Sequence, residues 1–141
     1  MSTPTRSPIT QPHHPRRLSR RECRDWLTSH REGRLGYTSG RGPRSVVVSY
    51  SMAGEQIVVR LPEYNDIVQY APGSEITFEV QDQTDTVPGH ETVSVCGTAE
   101  RAETDQAFDD VDFPESWPDG VATALVFLPL TAVEGFELTD R

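Results

Sequence analysis

The stretch Ile57–Tyr70, IVVRLPEYNDIVQY, holds the residues best placed to do chemistry. An apolar run ends on Arg60, Pro62 interrupts it, and a short helical segment follows. A cation at the end of a strand, facing the start of a helix, is a common holder of anions. Asn65 can donate to such an anion. Asp66, an acceptor only when ionised, would repel it. Arg60 therefore has two readings. It contacts a phosphate or carboxylate of a ligand, or it forms a surface ion pair with Glu63 or Asp66, worth about 0–1 kcal/mol.

Other chemistry is thinly represented. All thirteen basic residues other than His are arginines, so Schiff-base lysines and a Walker phosphate loop are excluded. Cys23 and Cys96 have no paired spacing and read as two reduced thiols. His13 and His14 lie near the N-terminus, while His30 and His90 stand apart, so no zinc pattern forms. No Ser or Cys has a neighbouring base in the sequence, and the catalytic residues stay unassigned. Thr92 and Ser94 share one face of a strand, where they meet a ligand edge or solvent. Tyr50 and Trp117 either stack on a ring system or pack at a subunit seam.

The elements that must position these residues follow from pattern. The chain of 141 residues is long enough for one domain. Residues 1–17 are rich in Pro, Ser, Thr and Arg and predict a disordered basic arm. The folded domain is expected over 18–141. Ser19 and Glu22 have capping-box spacing, Cys23, Trp26 and Leu27 share a helical face, and Gly33 is the expected stop. After Gly33 the period changes from helix to strand. Arg34–Thr38 reads as a short strand, Arg44–Met52 as a longer one with a tight turn to QIVVRL, and Glu75–Gln81 alternates cleanly. Further strands are expected in ETVSVCGTAERAE and in ATALVFLPLTAVEGFEL, where Pro129 forces a break, and a short helix in TDQAFDDV. About six antiparallel strands with few helices predict a mainly β fold closed as a small barrel.

Charge limits the partners. Residues 1–35 carry eight arginines against Glu22, Asp25 and Glu32, a balance of +5. The remainder carries five arginines against nineteen acids, a balance of −14, which completes the net −9. An acidic body repels nucleic acid phosphates, so the folded domain is not expected to bind them, and the basic arm is either a contact for nucleic acid or an anionic surface or, the favoured reading, a solvated tail. No apolar run approaches a membrane span, and the N-terminus has no secretory core, so a cytoplasmic location is expected.

In the order of these segments the chain resembles the pyridoxamine 5′-phosphate oxidase-like family of flavin-binding split β-barrels, in particular its short bacterial members. The resemblance is carried by LSRRECRDWL with GRLGYT, by GPRSVVVSYSMAGEQIVVR, by EITFEVQD and TVSVCGTAE, and by ALVFLPLTAVEGFEL. It implies a six-stranded split barrel, a homodimer, and a flavin groove between subunits. The implied cofactor-binding residues are Val47, Val48 and Ser49 through their backbones, with Arg60, Leu61, Asn65, Asp66 and Thr92. Two positions depart from the family pattern. Asp66 stands where a phosphate-binding Lys is usual, and Glu91 where many short relatives place Trp. Three functional readings follow: an oxidoreductase using FMN or a deazaflavin on a small-molecule substrate, a non-catalytic flavin or small-anion binder or stress protein, and a scaffold without cofactor.

Overall fold

The structure, a computed structural model, describes residues 13–81, 90–102 and 120–140. The chain runs β1 (His13–Arg17), α1 (Arg20–Ser29), β2 (Glu32–Ser39), β3 (Gly42–Ser49), β4 (Ser51–Ala53) and β5 (Gln56–Pro62). It continues through α2 (Asp66–Tyr70), β6 (Glu75–Gln81), β7 (His90–Thr98), β8 (Glu100–Ala102), β9 (Thr123–Pro129) and β10 (Ala132–Asp140). A six-stranded antiparallel sheet has the order β1-β10-β7-β6-β2-β3, and a four-stranded sheet the order β4-β5-β9-β8. The mainly β, antiparallel architecture is the one the sequence predicts.

The strand count is higher than six because the chain bends from one sheet to the other inside apolar runs. Arg44–Met52 does not form one strand. It turns at Tyr50, and its two halves, β3 and β4, belong to different sheets. Tyr50 is 1% exposed, its hydroxyl donates to the Leu27 carbonyl, and its ring meets Phe78 edge-on at 5.0 Å. This corner ties α1 to both sheets. A second bend at Ala99 separates β7 from β8, and a third at Leu130–Thr131 follows Pro129 and separates β9 from β10. The core lies between the sheets, with Ile57, Val59, Phe78, Val80, Val93, Val95 and Val126 in one cluster.

Helix α1 begins as its sequence dictates. The Ser19 hydroxyl accepts from the Glu22 N–H, and the Glu22 carboxylate accepts from the Ser19 N–H at 2.8 Å. Cys23 and Leu27 are buried beneath it. The helix stops earlier than expected, at Ser29, with His30 extended. Gly33 is not its stop. It lies within β2, where it clears the Phe78 ring.

The boundary at residue 17 also moves. His13–Arg17 form β1, paired antiparallel with Phe136–Asp140, rather than belonging to a disordered arm. Pro15 is tolerated because β1 is an edge strand. The Arg16 guanidinium reaches both Glu137 at 2.9 Å and Glu22 at 3.2 Å, and Arg17 lies 5.8 Å above the Phe136 ring. Residues 1–12, the segment TDQAFDDV and Trp117 lie outside the described residues. Deleting residues 1–17 is therefore expected to lower stability. The loss of a five-residue ladder and of Arg16 should amount to roughly 1–2 kcal/mol, or about 3–8 °C in melting temperature. Thermal denaturation of the truncated chain checks this, and an unchanged melting temperature would show that β1 adds nothing.

Among the described residues, no helix is long and apolar enough to cross a membrane. No cluster of His, Cys, Asp and Glu suited to a metal ion occurs among them either.

Candidate functional site

The site grows from the free edge of the larger sheet. Strand β3 is the last strand in that sheet, so one of its edges has no partner strand among the described residues. The phase of its ladder decides what that edge offers. The register pairs Glu32 with Ser49, and the Tyr50 N–H donates to the Arg31 carbonyl at 2.9 Å. In an antiparallel pair, residues that exchange hydrogen bonds alternate with residues that do not. Val46 and Val48 therefore spend their peptide groups on β2. The N–H and C=O groups of Ser45, Val47 and Ser49 face away from it. The Val47 side chain is 53% exposed on this edge.

Helix α2 faces the same edge. Pro62 ends β5, and Asn65 caps the helix by accepting from the Ile67 N–H at 2.8 Å. This spends the Asn65 oxygen and leaves its amide N–H groups able to donate. Between α2 and β3 lies a groove of about 340 Å³. Its apolar lining comes from Val46, Val48, Leu61 and Ile67, and its polar lining from Glu32, Tyr37, Arg44, Asn65 and Asp66.

The polar lining is organised around one hydroxyl. Tyr37, 5% exposed on β2, donates from Oη to Asp66 Oδ2 at 2.7 Å. Arg44 is the direct cross-strand partner of Tyr37, so both point to the same face. Burial, and after it the hydrogen bond to Asp66, pushes the Tyr37 hydroxyl up to about 12, with Arg44 acting in the opposite direction. Burial alone pushes Tyr50 up as well. The sign of the consequence follows. Both tyrosines stay protonated in the folded chain after they would ionise in the unfolded one. Their stabilisation is complete below about pH 10 and is lost as pH rises toward 12. The urea midpoint should fall over that window, and Tyr37→Phe should make the fall shallower. An equally steep fall in the variant would remove Tyr37 from the account.

Val47, Val48, Ser49, Leu61, Asn65 and Asp66 are brought together at this groove. Arg60 is not. Side chains alternate along β5, and Leu61 joins the main core with Ile57 and Val59. Arg60 lies on the opposite face with Val58 and its cross-strand partner Leu125, and its Nε donates to Thr123 Oγ1 at 3.3 Å. The partners considered for it in a surface pair are engaged elsewhere, since Glu63 pairs with Arg101 at 3.6 Å and Asp66 accepts from Tyr37. Thr92 lies on β7, three strands from β3 and so about 14 Å away, on the outer face of the sheet. The cation of the groove is Arg44, which sequence reasoning missed together with Tyr37. Among the described residues Arg44 makes no ion pair closer than 4.0 Å, which leaves its guanidinium available to a ligand.

The model of the pyridoxamine 5′-phosphate oxidase family matches residues 19–137, most of the chain, from α1 into β10. The chain belongs to this family. Among curated proteins, none matches the sequence. Solved structures share the fold at low identity. The FAD binding protein from Mycobacterium smegmatis is 24% identical over 88% of this chain and 98% of its own, with a TM-score of 0.76. An FAD-binding protein from Mesorhizobium loti is 17% identical over 90% and 98%, with a TM-score of 0.67. The FAD and heme binding protein from Mycobacterium smegmatis is 12% identical over 89% and 74%, with a TM-score of 0.69.

The groove can be tested for a flavin on its own residues. An isoalloxazine needs an apolar bed for its rings and alternating donors and acceptors for its pyrimidine edge. Val46, Val48, Leu61 and Ile67 provide the first. The outward peptide groups of Val47 and Ser49 provide the second. The ring system fits these residues. A terminal phosphate fits less well, because one cation, Arg44, shares the groove with Glu32 and Asp66.

Proposed function

We propose that this family member is a flavin-dependent oxidoreductase whose cofactor lies in the groove between β3 and α2. The observation that supports it most is the β3 edge, which pairs with no further strand among the described residues, beside an apolar bed. Membership of the family and the FAD binding of three structural relatives point the same way. The flavin, when bound, supplies the hydride and electron chemistry, and the chain has to hold and orient it. Val47 and Ser49 would read the ring edge through their peptide groups. Arg44 would meet an anionic part of the ligand, and Asn65 would donate to it. Tyr37 and Asp66 would fix the polar wall. FMN, FAD and a deazaflavin all present a comparable ring edge, so the ring contacts alone do not choose among them.

We further propose a homodimer. Val47, which lines the groove, is 53% exposed, and Tyr64, next to the groove residue Asn65 in sequence, is 75% exposed; a second copy covering them would close the groove's open side. Arg60 and Thr92 would then meet a ligand across the subunit boundary, since neither reaches this groove in its own chain. Sedimentation at micromolar concentration should give a dimer, and a monomer would remove this part. For the activity, the flavin-loaded protein should be reduced anaerobically by a nicotinamide or deazaflavin donor and reoxidised by an electron acceptor, followed by absorbance. Bound flavin that neither donor reduces would leave binding intact and remove the oxidoreductase assignment.

A further inference from the structure

The polar wall of the groove holds a feature that flavin binding does not require. Asp66 Oδ2 accepts from Tyr37 at 2.7 Å, and Tyr37 is 5% exposed on a central part of β2. The hydroxyl therefore pins the carboxylate to the rigid sheet. Arg44 stands beside Tyr37 across the β2–β3 ladder. Asp66 and Arg44 both line the groove beside Tyr37, so the groove presents the two charges together. An anion drawn to Arg44 thus enters the field of Asp66.

We propose that Asp66, positioned by Tyr37, decides which flavin the groove accepts: it takes a hydroxyl of the ribityl or ribose chain and rejects a terminal phosphate monoester. This deepens the flavin assignment and rests on it. An ionised carboxylate only accepts hydrogen bonds, and sugar hydroxyls donate them. A phosphate monoester carries close to two negative charges at neutral pH and has no proton to offer. Riboflavin brings hydroxyls without phosphate. In FAD each bridging phosphate carries a single charge, and the ribose adds a diol. FMN is then the poorest of the three for this wall.

The test is titration of the full chain with riboflavin, FMN and FAD, followed by flavin fluorescence, for the wild type, Asp66→Asn and Tyr37→Phe. The wild type should bind FMN about tenfold more weakly than riboflavin, the size of one like-charge contact in a solvated groove. Asp66→Asn should bring FMN level with riboflavin. Tyr37→Phe keeps the charge but frees the carboxylate from the sheet, so the preference for riboflavin over FMN should shrink, and a preference as large as in the wild type would remove Tyr37 as the positioning residue. FMN binding as tightly as riboflavin in the wild type would overturn the inference while leaving the flavin assignment in place. So would a riboflavin-to-FMN ratio that Asp66→Asn leaves unchanged. If none of the three ligands binds any of the proteins, the flavin assignment itself falls, and this inference falls with it.

Discussion

Gly33→Ala is expected to cost the fold about 1–3 kcal/mol, and to lower the melting temperature by several degrees. A β-carbon at this position would lie 2.5 Å from both Cε2 and Cζ of Phe78 and 3.1 Å from the Glu79 carbonyl oxygen. The carbonyl belongs to β6, next to β2 in the sheet, and cannot retreat without disturbing the strand. The ring cannot retreat either, since Tyr50 packs against it edge-on and Phe78 is 1% exposed. Urea denaturation measures the loss. Adding Phe78→Leu should recover part of it, because the clash leaves with the ring, although Phe78→Leu alone destabilises. A Gly33→Ala protein with the wild-type midpoint would show that β2 and β6 slide more freely than this packing allows.

Val47→Pro carries the largest expected effect on binding. Proline has no N–H, and in a sheet it is accepted only where that group is not used by the ladder. The hydrogen-bond phase of β2 and β3 leaves the Val47 N–H facing out, so the sheet should tolerate the change within about 1 kcal/mol. The flavin ring would lose a donor. One hydrogen bond contributes about 0.5–1.5 kcal/mol net, and a buried acceptor left without a partner costs more, so affinity should fall about tenfold or further. Val48→Pro is the contrasting variant. Its N–H bonds to β2, and its loss should cost about 3 kcal/mol or more of stability. If Val47→Pro binds flavin as the wild type does, the β3 edge does not read the ring.

The features legible in the sequence are the local ones. The Ser19–Glu22 capping box depends on a neighbour three residues away and forms as its spacing predicts, whereas the Asn65 cap on Ile67, equally local, reads in the sequence only as a donor to an anion. The groove residues Val47, Val48, Ser49, Leu61, Asn65 and Asp66 were reachable through the order of elements and the family likeness. Arg44 and Tyr37 were not, because each lies in a segment read as a strand but they become neighbours only through the β2–β3 register. The separation of Arg60 from Leu61 was present in the sequence as strand alternation, which places adjacent side chains on opposite faces. The corner at Tyr50 left no mark, since the run VVVSYSM contains neither Gly nor Pro where the chain changes sheets. His13–Arg17 carry the composition of a tail, Pro-containing and basic, and form a strand because an edge position admits Pro.

The central claim is that the groove between β3 and α2 holds a flavin, and one titration tests it most directly. Purified full-length protein, stripped of any bound chromophore, is added to riboflavin or FAD while flavin fluorescence and the visible absorption band are followed, with Val47→Pro run in parallel. Saturable binding that perturbs the ring spectrum, weakened about tenfold or more in Val47→Pro, is the predicted result. A flavin spectrum that does not change at any protein concentration would contradict the account.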